Sequence, residues 1–165
     1  MAELTPQERL QPSLLDRLTD RSPDSRSESR DHRVLSMQRL RAAVLRDLGW
    51  LLNTGQLETT DDLERYPEVA SSVVNFGMPD ISGLSVSGVD TADMEKAVRD
   101  AIVKFEPRIS ADTVRVTVVR GGEKMGRNAL TFNIEGQLWA EPTPVALYLK
   151  TELDLETGDV SVRDA

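Results

Sequence analysis

Most of the charged residues in this sequence fall on the polar phase of a helix or strand pattern. One group breaks its local pattern: Phe105-Glu106-Pro107-Arg108-Ile109. A carboxylate and a guanidinium flank a proline where a helix must stop and the chain must turn toward a strand. The fixed φ of Pro107 holds both charged heads in a defined relation, and Phe105 and Ile109 can anchor them against a core. The group then reads in two ways, as a helix-end salt bridge serving the fold or as a charged hydrogen-bonding pair facing a partner. Arginine suits the second role because its planar fork makes bidentate contacts that strengthen when partly desolvated. Other chemistry finds little support. There is no cysteine and only one histidine, His32. Disulfides, thiolate metal sites, cysteine nucleophiles and multi-histidine metal sites are therefore excluded, and no cofactor is expected. No Ser sits in a G-x-S-x-G elbow, and the one histidine lies at a linker edge, so a Ser-His-Asp triad has little support. His32 is read as solvated or as a helix-start contact. Gly121, Gly122 and Gly126 do not open a helix, which removes the phosphate-loop reading. Glu135, Glu152 and Asp154 are read as solvent-facing sheet residues.

The elements that must position the Glu-Pro-Arg group follow from composition and periodicity. With 165 residues the chain suits one domain, and a net charge of −8 argues against a nucleic-acid partner. Two Trp, two Tyr and three Phe leave the core to Leu, Val, Ile and Ala. No apolar run is long enough to span a bilayer and the N-terminus lacks a signal-peptide pattern, so a soluble, cytoplasmic protein without direct membrane insertion is expected. Residues 20–31 hold only charged residues, Ser and one Pro, a composition that cannot offset its ordering entropy. They read as a linker, making residues 1–31 an N-terminal extension and residues 32–165 the main domain. Within the extension Pro12 and Ser13 look like a helix start, and Leu10, Leu14 and Leu18 fall at i, i+4 and i+8. So short a helix needs a surface for Leu14, Leu15 and Leu18, either its own domain or another chain, which makes these leucines candidate partner-binding residues.

From about Arg33 to Asn53 the apolar positions Met37, Leu40, Val44, Leu48 and Leu51 step by three or four, predicting an amphipathic helix that Asn53, Thr54 and Gly55 stop. Arg33, Arg39, Arg41 and Arg46 form a basic patch, and the six acids against one Arg in residues 47–68 offer it an internal partner. A short helix is expected from Pro67 through Val69, Val73 and Val74 to Gly77, followed by an ordered loop to about Gly88. Thr91 or Asp90 caps a second main helix with Met94, Ala97, Val98, Ala101, Ile102 and Phe105 on one stripe, ended by Pro107. Val114, Val116 and Val118 then alternate with Arg115 and Thr117. Leu130, Phe132, Ile134 and Leu138 alternate with Thr131, Asn133, Glu135 and Gln137, and Val145, Leu147, Leu149, Leu153 and Leu155 with Tyr148, Lys150, Glu152 and Asp154. One wet and one buried face predict antiparallel pairing. A turn at residues 156–159 leads to a final strand, Val160 to Arg163. The expected fold is α+β: two main helices packed on a small antiparallel sheet of three to four strands, preceded by the extension. Its outermost strands carry few blocking residues, so strand addition by another chain is available.

The series RLQPSLLDRLTD, VLRDLGWLLNT, YPEVASSVVNFGMPDISG, FEPRI and GQLWAEPTPVALYLKTELDLETGDV, spanning roughly residues 9–163, resembles the TssE family. These are small baseplate subunits of type VI secretion systems, similar to the wedge proteins of contractile phage tails and historically called lysozyme-like. The resemblance implies a non-enzymatic assembly protein in a cytoplasmic baseplate docked at the inner membrane. It would sit with TssF, TssG and TssK, connect the baseplate to the TssB–TssC sheath and help start sheath polymerisation. It also implies that Glu106, Pro107 and Arg108 contact the wedge core. The old label suggests the alternative of a peptidoglycan hydrolase. That activity needs Glu106 to remain protonated beside a second carboxylate, which a guanidinium two residues away opposes, and its substrate lies outside the cytoplasm.

Overall fold

The computed structural model describes residues 13–19, 24, 37–79, 91–120, 129–139, 145–154 and 157–164. The expectations for Leu10, Pro12, most of the 20–31 linker, His32, Arg33, the loop beyond Pro79, Asp90, the glycines at 121–126 and Leu155 lie outside these residues. Four α-helices are formed among the described residues: α1 (Leu14–Leu18), α2 (Met37–Leu52), α3 (Pro67–Ser71) and α4 (Thr91–Phe105). Four strands, β1 (Arg115–Arg120), β2 (Ala129–Leu138), β3 (Val145–Asp154) and β4 (Val160–Asp164), pair antiparallel in sequence order. The fold is α+β, with α2 and α4 supplying the helical side of the core.

The apolar stripes read from the sequence make that core. Val44 and Leu48 of α2 and Ile102 of α4 are fully covered, as are Leu138, Leu147 and Leu153 of the sheet. Burying each such side chain stabilises the fold by about 1.5–3 kcal/mol. Along β3, burial alternates residue by residue, because successive side chains point to opposite faces. Thr131 departs from this logic, lying on the face expected to be wet yet buried; nothing among the described residues explains its cover.

Two further features differ from expectation for physical reasons. The segment after Pro67 is not one helix. Α3 ends at Ser71, a separate 3₁₀ turn spans Val73–Asn75, and the Ser72 hydroxyl accepts from the Val74 N–H between them. The left-handed glycine in this region is Gly77 (φ +136°), not Gly55. A Cβ on Gly77 would lie 2.3 Å from the Thr54 carbonyl oxygen, an approach only glycine permits. As expected, Asn53 and Thr54 stop α2, and they do so with their side chains: Asn53 Nδ2 donates to Gly49 O (2.6 Å) and Thr54 Oγ1 to Trp50 O (2.7 Å).

The sheet edges are also less open than the sequence suggests. The Val118 N–H on the outer side of β1 donates to Glu95 Oε1 (2.8 Å), and Arg99 Nε donates to Val114 O (3.3 Å), so α4 side chains occupy that edge. On β4, Asn53 receives the Val160 N–H (2.8 Å) and donates to its carbonyl (2.8 Å). At the other end of β4, Arg41 pairs with Asp164.

Candidate functional site

The Glu-Pro-Arg group is placed by the end of α4 and the beginning of the chain's run into the sheet. The Glu106 N–H closes the last helical turn onto Ile102 O (2.8 Å), after which Pro107 prevents continuation. The next three residues run antiparallel to the end of β2: Ser110 N donates to Gln137 O (2.9 Å), Trp139 N donates to Arg108 O (2.8 Å), and Ile109 bridges to Leu138. Ile109 is buried and sits so close to the sheet that a Cβ on Gly136 would fall 2.8 Å from its Cγ2. Phe105 packs edge-on against Phe76 at 5.3 Å. Both anchors expected from the sequence therefore hold the corner.

Glu106 is only 3% exposed. Its Oε1 accepts from Arg108 Nε (2.6 Å) and from the Arg108 backbone N–H (3.1 Å), while Oε2 accepts from Arg108 Nη2. Pro107 is exposed and Arg108 half-buried. Arg108 Nη2 also donates to Asp47 Oδ2 of α2 (2.6 Å). Asp47 Oδ1 accepts from Arg46 Nε (2.8 Å), and Arg46 Nη1 reaches Asp16 Oδ1 of α1 (2.8 Å). Arg46 lies over the Trp50 ring at 5.1 Å. Five charged groups thus form one chain: Asp16, Arg46, Asp47, Arg108 and Glu106. The Arg108 Nη1, buried, has no hydrogen-bond partner, so that amino group of the guanidinium is unused.

The charges are fixed by their surroundings. Burial pushes the Arg108 pKa down, but hydrogen bonds and attraction from Glu106 and Asp47 outweigh it and the net shift is upward. Arg46 is raised by the hydrogen bonds it donates to Asp16 and then to Asp47. Both guanidiniums stay charged across the physiological range. Such a site can hold and orient hydrogen bonds. It does not offer Glu106 as a proton donor, because both carboxylate oxygens serve Arg108 and the group is covered. No cluster of three or more Asp, Glu or His among the described residues is arranged to hold a metal ion.

The candidate leucines sit beside this chain of charges. Α1 is N-capped by Ser13, whose Oγ accepts from the Asp16 N–H (3.3 Å). It turns Asp16, not leucine, toward α2. Leu14 and Leu18 are 70% and 74% exposed and Leu15 is also exposed. Sequence spacing found the leucines and the Glu106–Arg108 pair, but not Asp16, Arg46 and Asp47 as their link. The adjacent opposite charges of Arg46-Asp47 were visible; their partners, 30 and 61 residues away, were not.

Residues 38–143 match the sequence profile of a family described as baseplate wedge protein gp25. No curated protein and no solved structure matches the chain. No helix among the described residues is long and apolar enough to cross a membrane.

Proposed function

The chain belongs to the baseplate wedge protein gp25 family, which includes the TssE subunits it resembles, and on that premise we propose that it is the small wedge subunit of a type VI secretion baseplate. In this reading it is a structural joint and not an enzyme. It works in the cytoplasm, in a baseplate docked at the inner membrane. Residues 32–165 form the wedge domain and residues 1–31 an extension from it. The corner at Glu106, Pro107 and Arg108, together with Leu14, Leu15 and Leu18, binds the wedge proteins TssF and TssG and brings in TssK. The sheet connects to the TssB–TssC sheath by strand addition and helps start its assembly. Β4 is the favoured edge: the alternation that turns the Val160 backbone groups toward Asn53 also turns those of Val162 away from β3.

The observation that carries this reading is the continuous charge chain from Asp16 to Glu106. It fixes a stiff, charged corner with exposed Pro107 next to a helix whose leucines are exposed, the combination of polar orientation and apolar contact that protein interfaces use. Reconstitution with TssF and TssG tests it. Recovery of these partners should fall sharply for Glu106→Gln/Arg108→Gln, which removes both charges together and so strands neither, and for Leu14→Ser/Leu18→Ser, which alters only exposed side chains. If both variants recover TssF and TssG like wild type, the assigned interface is wrong.

A further inference from the structure

Away from the corner, the stretch between the end of α2 and Pro79 encloses a groove of about 740 Å³. Its apolar lining includes Leu52, Leu57, Val73, Val74, Phe76 and Met78. Val73 and Val74 are 80% and 63% exposed, an unusual state for adjacent β-branched residues held in a fixed turn. The groove is built by backbone contacts. Met78 N donates to Thr54 O (2.7 Å) and Gln56 N to Met78 O (2.9 Å), the close approach that Gly77 allows. Asn75, buried, accepts from the Glu58 N–H (2.9 Å) and donates to Ala70 O (3.1 Å), fastening the two walls to each other. A groove fixed in this way binds without first being ordered.

The stretch of chain that builds it is acidic. Glu58, Asp61, Asp62, Glu64 and Glu68 are all exposed, Arg65 is the one basic residue among residues 58–68, and Asn75 Nδ2 donates to Glu58 Oε2 (3.2 Å). None of the five forms a salt bridge among the described residues. The α2 arginines that could have neutralised them are used elsewhere, Arg41 on Asp164 and Arg46 on Asp16 and Asp47. Of the six acids at residues 47–68, the basic patch on α2 takes up Asp47 alone among the described ion pairs.

We propose that this groove receives an amphipathic segment of a partner protein, with an apolar stripe seated on Val73 and Val74 and Lys or Arg side chains facing the acids of residues 58–68. Apolar burial supplies the contact, and the uncompensated acids select and steer a basic partner. The same field repels phosphate backbones, which leaves a basic protein segment as the matching occupant.

Binding of a synthetic helical peptide with a leucine stripe and lysine flanks, followed by fluorescence anisotropy on the full chain, tests the assignment without any baseplate protein. Its outcome is therefore independent of the wedge reading. Saturable binding is expected. It should weaken at least about tenfold for Val73→Ser/Val74→Ser, through lost apolar burial, and by a similar factor for Asp61→Asn/Asp62→Asn/Glu64→Gln, through lost and salt-sensitive attraction. All these side chains except the groove-facing valine methyls contact only solvent or their own turn, so circular dichroism should be unchanged. The proposal is overturned if the peptide binds neither form, or if the valine variant binds as wild type, which would reduce the effect to overall acidity. A dimer in sedimentation that the valine variant dissolves would assign the groove to a second copy and overturn it too.

Discussion

Glu106 does two things that its position in the sequence makes hard to separate: it ends a helix and it neutralises Arg108. The structure ranks them by burial. With the carboxylate covered and the Arg108 guanidinium held between Glu106 and Asp47, removing the acid alone leaves a half-buried cation short of its main acceptor. Glu106→Ala should therefore destabilise the fold by about 3–5 kcal/mol in denaturant unfolding, whereas Glu106→Gln/Arg108→Gln should stay within about 2 kcal/mol of wild type. Equal losses for the two variants would show that the carboxylate serves the helix end and not the guanidinium. The pair is accordingly both the salt bridge serving the fold and a device that keeps Arg108 oriented.

At the level of elements, the helices do more than cover one face of the sheet. Their polar side chains reach the outward backbone groups of both edge strands, Glu95 and Arg99 on β1 and Asn53 on β4. Arg41 pins the end of β4 through Asp164, whose pKa is lowered chiefly by the hydrogen bond from Arg41. A folded-state value below the unfolded one means the pairing contributes above the ordinary Asp value of about 4 and is lost as pH falls through the depressed value. The protection factor of the Arg163 amide, measured against its intrinsic exchange rate, should fall on acidification through that range, and in Asp164→Asn it should be low at every pH. Exchange insensitive to both pH and substitution would show that α2 holds β4 by apolar contact alone. Α1 leans on the contact between Asp16 and Arg46, since five residues of helix have no stability of their own.

For the molecule as a whole, the charge chain joins three regions distant in sequence: the extension, the middle of α2 and the helix-to-sheet corner. Asp47 is the shared member, with one oxygen on Arg46 and the other on Arg108. Disturbing the corner should therefore be felt at α1. Hydrogen exchange of the Thr19 amide, which closes α1 onto Leu15 O, should rise in Asp16→Asn and also in Glu106→Gln/Arg108→Gln. The combined variant should deviate from additivity by about 0.5 kcal/mol or more, as groups within one network do. Strict additivity would reduce the chain to separate local pairs. If it holds, linkage requires that a partner seated on the leucines also stiffen Arg108.

Much of this was legible in the amino-acid order. The stripes of α2 and α4, the strict alternation of β3 and the break at Pro107 are set by local geometry, because a period of 3.6 or 2 and a missing N–H act within a few residues. The Glu106–Arg108 pair belongs to the same class, two residues apart. What tertiary structure decided was which charges meet across long separations. Asp16 met Arg46, Asp47 met Arg108, Arg41 met Asp164, and the acids of residues 58–68 met no cation among the described ion pairs. It also decided that Gly77 and not Gly55 takes the left-handed turn, and that Val73 and Val74 face outward. The reason is common to all of these: a periodic pattern states which face of an element is polar or apolar, but which polar group lies opposite depends on how two elements cross, and no short-range preference carries that information.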